Sequence, residues 1–146
     1  MAASVRRLLL DIIRRTGVNP NDIWTRYASE RLLYRLSVSD QCDSFILKGA
    51  MLLIAWTGEL HRPTADLDLL GYGMCSEERL GDIFRRICIA YVEPDGLVFD
   101  ADSINVVPIR GKEPYHGQRI TLTAFLPESR SRLMSASVTQ SHLPPP

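Results

Sequence analysis

Apolar residues recur with helical spacing over the first forty residues. Between Val5 and Ile13 they share one stripe with arginines opposite, and Gly17 follows as a stop signal. Asn19 then supplies an N-cap and Pro20 occupies the tolerated first helical position of a second apolar pattern that runs to about Ser37. The pattern predicts two N-terminal helices within residues 1–40.

The spacing changes after Asp43. The run Phe45–Leu47 is typical of a short buried strand, Gly49 ends it, and Ala50–Trp56 has a helical pattern. Residues Ala65–Leu70 then alternate acidic and apolar side chains with a period of two. We expect a half-buried strand there, ended by the glycines of Gly71–Gly73.

A further helix and several short strands complete the predicted core. Ser76 caps a helix expected to end near Ala90. The apolar runs Leu97–Phe99, Ile104–Ile109 and Ile120–Leu126 are separated by turn residues. The order of elements predicts an α/β (α+β) domain with a mixed sheet over residues 41–126.

Residues 127–146 differ in kind, being rich in serine and ending in three prolines. We expect this tail to be disordered, because it shows no usable helical or strand periodicity.

Composition leaves the partner open. The 146 residues are 45% hydrophobic, which suits one globular core, and 17 basic residues balance 17 acidic ones. The apolar runs are far shorter than the roughly 20 residues of a membrane span, so we expect a cytoplasmic protein without membrane contact. Three widely spaced cysteines favour reduced thiols with a structural role.

The candidate chemistry centres on Asp66 and Asp68. Residues i and i+2 of a strand project from one face, about 7 Å apart, so the two carboxylates can share one cation. Mg²⁺ takes oxygen ligands, commonly one or two carboxylates together with substrate phosphates. The alternative is the exposed polar edge of a half-solvated strand.

The turn Lys48-Gly49-Ala50 complements this pair. Glycine permits close approach, and the N–H groups at a helix N-terminus bind phosphate. Arg62 and Thr64 precede the acidic strand and are further candidate nucleotide-binding residues, although both also suit an ordinary loop. Zinc spacings, a serine nucleophile elbow and a dinucleotide fingerprint are absent from the sequence.

The segment Phe45–Gly73 resembles the signature block of the AbiEii/AbiGii nucleotidyltransferase toxins, in which a Lys-Gly-rich turn precedes a helix and then R-x-T-x-D-x-D. The similarity extends through Arg26–Ser37 and Gly96–Asp100 and covers most of residues 5–126. The family turn commonly has Gly-Gly followed by Ser or Thr, whereas Ala50 and Met51 follow Gly49 here.

This resemblance implies a polymerase-β-like nucleotidyltransferase core preceded by N-terminal helices. It also implies Mg²⁺ at Asp66 and Asp68, a nucleoside triphosphate as substrate, transfer RNA or another RNA as acceptor, and a cognate antitoxin as partner. A third carboxylate on a neighbouring strand would help to activate the acceptor hydroxyl.

In the family that carboxylate lies on a later acidic strand. This chain has residues 127–146 in place of that strand, so the third carboxylate is missing. A shifted reading of plausible codons restores the family pattern, so we hypothesise a single-base deletion near Leu126 that removed the C-terminal domain. The expected consequence is an unpaired edge along Asp66–Leu70. Two alternatives stay open: a catalytically inactive remnant that binds nucleotide or antitoxin, and a nonfunctional product of gene decay.

Overall fold

The structure, a computed structural model, describes residues 1–58, 66–73, 76–109, 117–127 and 132–141. Within these ranges the chain forms four helices and five strands. The helices are α1 (Ala2–Thr16), α2 (Pro20–Ser37), α3 (Ala50–Thr57) and α4 (Glu77–Cys88). The strands are β1 (Phe45–Lys48), β2 (Asp66–Tyr72), β3 (Val98–Ile109), β4 (Gly117–Phe125) and β5 (Arg132–Ser141).

The five strands form one mixed sheet in the order β1-β2-β5-β4-β3. The pair β2 and β5 is parallel, and the other three pairs are antiparallel. The last strand therefore lies in the middle of the sheet. The predicted α/β class with a mixed sheet is confirmed.

Local signals set the helix boundaries as expected. The Asn19 side chain accepts a hydrogen bond from the Asn21 amide at 2.9 Å, and Ser76 accepts one from the Arg79 amide at 3.2 Å. Gly17 ends α1 with φ 66°, a left-handed conformation that glycine adopts without a steric penalty.

One face of the sheet carries the core. Apolar side chains from β2, β3, β4 and β5 form one cluster there with buried residues of α2 and α4, because alternate residues of each strand point to the same side. Helix α4 contacts β3, and α2 contacts α4. The apolar stripe of α4 is almost fully buried, and Phe84 meets Phe45 edge to face with ring centroids 6.4 Å apart. The opposite face carries the polar positions of the same strands.

The expectation of a disordered tail is wrong for Arg132–Ser141. This segment is β5, in which buried and half-buried positions alternate. Met134, Ala136 and Val138 are buried, and Ser135, Ser137 and Thr139 are half-buried. The predicted unpaired edge is also wrong, because β5 pairs with β2 from Asp66 to Tyr72. The hypothesised deletion stays a prediction, which resequencing of the DNA would test.

Two strand predictions had wrong limits. The runs predicted at Leu97–Phe99 and Ile104–Ile109 form one strand, β3, which begins at Val98 and whose register with β4 shifts between Asp100 and Asn105. Strand β2 continues past Gly71 to Tyr72, because β5 pairs with it that far.

Candidate active site

Strand β2 places Asp66 and Asp68 on one face of the sheet. The intervening Leu67 and the next residue, Leu69, are each 1% exposed on the opposite, core face, whereas both aspartates are half-buried. The burial of the leucines fixes the register, since a slip of one residue would turn the carboxylates into the core. The alternating pattern therefore presents two carboxylates side by side.

The glycine turn packs directly against this pair. Lys48 is the register partner of Asp68 across β1 and β2. Gly49 has φ 74° and ψ −155°, a region that residues with a Cβ rarely adopt. A Cβ atom at Gly49 would lie 2.5 Å from Oδ2 of Asp68. Two features of position 49 thus require glycine: its backbone angles and its close contact with the carboxylate of Asp68.

Helix α3 begins immediately after this turn, at Ala50. Its cap residue Gly49 has no side chain that could satisfy the first amides, and only the Leu52 and Leu53 amides reach back to the Gly49 carbonyl. The amides of the first turn are the groups that bind anions at helix N-termini. The turn consequently brings backbone N–H groups that can donate hydrogen bonds to phosphate next to Asp68.

Strand β5 provides the other border of the site. Ser135 is the register partner of Asp66, and its hydroxyl donates a hydrogen bond to Oδ1 of that aspartate. Ser137 is the partner of Asp68. The sequence of Arg132–Ser141 contains no Asp or Glu. The strand next to the aspartates therefore offers hydroxyl groups where a third carboxylate was expected.

Asp100 does not replace that carboxylate. It is exposed on β3, and β5 and β4 separate it from β2. Three strand spacings of about 4.8 Å correspond to roughly 14 Å, too far for a metal shared with Asp66. Its side chain instead accepts a hydrogen bond from the Asp102 amide at 3.0 Å, beside the irregularity in β3.

The donor set suits a hard cation bound together with a substrate. Among the described residues no group of three or more His, Cys, Asp or Glu side chains could hold a metal. Two carboxylates alone match Mg²⁺ in nucleotide sites, where substrate phosphates and water complete the coordination. The pair fits Mg²⁺ carried by a nucleotide rather than an isolated structural ion.

The predicted site residues thus fall into two groups. The structure brings Lys48, Gly49 and Ala50 to Asp68 and, through the strand, to Asp66. Arg62 and Thr64 lie outside the described residues.

Sequence reasoning missed a buried ion cluster elsewhere in the molecule. The carboxylate of Asp95 accepts hydrogen bonds from Arg35 at 2.7 and 3.2 Å and from Arg31 at 2.7 Å. The Tyr27 hydroxyl donates to the Asp95 carbonyl at 2.6 Å. The spacing of Tyr27, Arg31 and Arg35 by four residues on α2 was a signal of one shared face, but nothing local indicated their partner.

This cluster shifts the pKa of its members. Burial raises the pKa of Asp95, but the hydrogen bonds from Arg35, Arg31 and the Leu97 amide outweigh it and hold that pKa below its usual value. Burial and the Asp95 charge raise the pKa of Tyr27. The cluster ties α2 to the segment before β3 and lies in the core, so its role is structural.

Neither of the two described cysteines contributes chemistry to the site. Cys88 is buried, and burial raises the pKa of its thiol to about 12, which keeps it protonated. Cys42 is exposed, and Cys75 lies outside the described residues.

A mixed sheet that sets two aspartates of one strand beside a glycine turn and a helix N-terminus defines a nucleotidyltransferase-like fold. Residues 31–146 match the family model described as nucleotidyl transferase AbiEii toxin, type IV toxin–antitoxin system. The chain belongs to this AbiEii family. The match extends past residue 126, the end of the similarity seen in the sequence. None of the curated proteins matches the chain.

In the parts of the chain that the structure describes, no helix has the length and apolar character needed to cross a bilayer.

Proposed function

We propose that this chain binds a nucleoside triphosphate with Mg²⁺ and transfers a nucleotidyl group from it to an acceptor, for which RNA is the expected class. The observation that carries the proposal is the contact between Gly49 and Asp68. Because no side chain fits between them, the phosphate-binding turn and the carboxylate pair form one site. The match to the AbiEii family supports the reaction class.

Negatively charged residues of the site bind the metal ion, and positively charged or N–H groups bind phosphate. Asp66 and Asp68 hold Mg²⁺, and the N–H groups at the start of α3 receive phosphate oxygens. Lys48, half-buried beside Asp68, offsets phosphate charge. Mg²⁺ held by these two carboxylates would neutralise charge that develops on the phosphate oxygens during an in-line transfer. The Ser135 hydroxyl orients the Asp66 carboxylate through its hydrogen bond.

A second candidate function is a form that binds nucleotide or the antitoxin of its system without transfer. The serines of β5 favour it, because the strand beside the aspartates lacks an acidic residue that could accept the acceptor's proton. A form that binds nucleotide without transfer shares the binding site with the first candidate and differs from it only in turnover.

Calorimetric titration with a nonhydrolysable nucleoside triphosphate and Mg²⁺ tests the proposal. We expect metal-dependent binding by the chain and its loss in the Asp66→Ala/Asp68→Ala double variant. The matched control is Asp40→Ala/Asp82→Ala, which removes the same charge at two exposed positions away from the site. Absence of metal-dependent binding by the folded chain would contradict both nucleotide-binding forms.

A transfer assay then separates the two candidates. The chain, RNA and a radiolabelled nucleoside triphosphate are incubated with Mg²⁺. Label incorporation that depends on Asp66 and Asp68 supports transfer, whereas intact binding without incorporation supports the second candidate.

A further inference from the structure

One row of side chains crosses four strands at the level of Asp68. Lys48 on β1, Asp68 on β2, Ser137 on β5 and Arg119 on β4 are consecutive register partners. Register partners of paired strands project from the same face, so Arg119 shares the face of the aspartates. Lys48 lies one strand spacing from Asp68, and Arg119 lies two spacings away on the other side, about 10 Å between Cα atoms.

The surroundings of Arg119 leave its charge available. Arg119 is exposed, and no salt bridge joins it to a residue in the described part of the chain. Its partner on β3 is Val107, away from the aspartates, whereas its partner on the side of the aspartates is the small Ser137 of β5. The long arginine side chain can therefore extend over Ser137 towards the aspartates.

The direction of the reaction suggests different ligands for the side chains of Lys48 and Arg119. The Lys48-Gly49-Ala50 turn borders Asp68 on the β1 side, where the leaving phosphates of the nucleotide would bind. In phosphoryl-group transfer the attacking and leaving oxygens lie roughly in line, on opposite sides of the phosphorus atom. The acceptor must then approach over β5 and β4, the side on which Arg119 lies.

We propose that Arg119 binds a backbone phosphate of a single-stranded RNA acceptor. This inference rests on the proposed function, because it takes its direction from nucleotide phosphates at the Gly49 turn. The planar guanidinium group matches two phosphate oxygens at once, which a lysine does not. Arg119 positions the acceptor strand beside the aspartates and takes no part in proton transfer.

The experiment measures binding of a short oligouridylate and, separately, of a nonhydrolysable nucleoside triphosphate with Mg²⁺. The variants are Arg119→Gln, Arg119→Lys and the matched control Arg86→Gln, an exposed arginine on α4. We expect Arg119→Gln to weaken RNA binding about tenfold, because a charge-assisted hydrogen bond is lost. Nucleotide binding and the thermal unfolding midpoint should stay unchanged, and Arg86→Gln should match the unaltered chain.

The salt dependence distinguishes a phosphate contact from a structural role. For single-stranded nucleic acid, each phosphate contact contributes about 0.7 to the slope of log affinity against log salt concentration. Arg119→Gln should lower that slope by about this amount, whereas Arg119→Lys should keep the slope and lose part of the affinity.

Three results would overturn the inference: no binding of RNA by the unaltered chain, equal RNA binding by Arg119→Gln, or a loss confined to the nucleotide. The Asp66→Ala/Asp68→Ala variant distinguishes failure of the inference about Arg119 from failure of the proposed function. If that variant still binds nucleotide, the proposed function fails, whatever Arg119 does to RNA binding.

Discussion

Asp95 and Asp68 are carboxylates of the same chain with opposite surroundings. The Asp95 side chain is 8% exposed and is held by Arg35, Arg31 and the Leu97 amide. Asp68 is half-buried, and among the described residues neither a hydrogen bond nor an ion pair reaches its carboxylate. Its close neighbour is the bare backbone of Gly49.

The difference separates two uses of a charge. A buried carboxylate whose acceptor sites are all occupied serves packing, because it has no capacity left for a ligand. Asp68 keeps its capacity, because among the described residues no hydrogen bond or ion pair occupies its carboxylate and the Gly49 backbone lies next to it. Saturation with hydrogen bonds, rather than the presence of charge, distinguishes a structural aspartate from a candidate ligand in this chain.

The largest effect expected from this comparison is on stability. Replacement of Asp95 by Ala leaves Arg35, 5% exposed, buried without its counter-charge. Breaking a buried pair in this way costs about 3–5 kcal/mol of the free energy of unfolding. Asp68→Ala, at a half-exposed position, should cost less than about 1 kcal/mol. Urea unfolding measures the free energy of unfolding of both variants. Equal losses would contradict the distinction between a structural Asp95 and a ligand-binding Asp68.

The pH dependence checks the origin of the Asp95 effect. The pKa of Asp95 in the folded chain lies below its value in the unfolded chain, about 3.9. Its stabilisation is therefore complete above that value and is lost as the pH falls through the folded pKa. The gap between the unfolding midpoints of the chain and of Asp95→Ala should stay constant from pH 7 to 5 and narrow below pH 4. A constant gap at every pH would contradict the ionic explanation.

The next effect concerns the contact that joins the turn to Asp68. Gly49 and Gly58 flank α3 with φ 74° and 70°, but a Cβ at Gly58 would meet no atom of the described residues within 4 Å. Gly58→Ala should cost about 1 kcal/mol from its left-handed backbone alone. Gly49→Ala should cost at least about 1 kcal/mol more, because the added methyl group overlaps a carboxylate oxygen.

Nucleotide binding separates these two glycines more sharply than stability does. Calorimetric titration with Mg²⁺ and the nonhydrolysable triphosphate should show at least about a tenfold loss for Gly49→Ala and no change for Gly58→Ala. Equal binding by the two variants would show that the turn does not belong to the site.

The sequence predicted elements whose signals are local. The caps Asn19 and Ser76, the turn at Gly49 and the alternation around Asp66 and Asp68 each depend on a few adjacent residues, and the structure shows the corresponding helices, turn and strand. The two aspartates and the Lys48–Ala50 part of the candidate site follow from those signals, since only α3 separates the turn from β2 in the element order and β1 pairs with β2.

The rest depends on residues far apart in the chain. Arg35 and Asp95 are 60 positions apart, and the neighbours of Arg119 are known only from the sheet order. Strand β5 carried the period-two pattern in Met134, Ala136 and Val138, but its serines have weak strand preference. Pairing with β2 and β4 on both sides decides its conformation.

The smallest effect tests how β5 limits the site. In the variant Ser135→Asp a carboxylate replaces the hydroxyl that donates to Asp66. Like charges opposite each other on paired strands cost about 0.2–1 kcal/mol, so the midpoint of thermal unfolding should fall slightly without metal. Mg²⁺ should restore it, because three carboxylates bind the ion better than two. The isosteric control Ser135→Asn should gain nothing from Mg²⁺. If NaCl at equal ionic strength restored the midpoint as well as MgCl₂ does, the effect would be screening, and position 135 would not border a metal site.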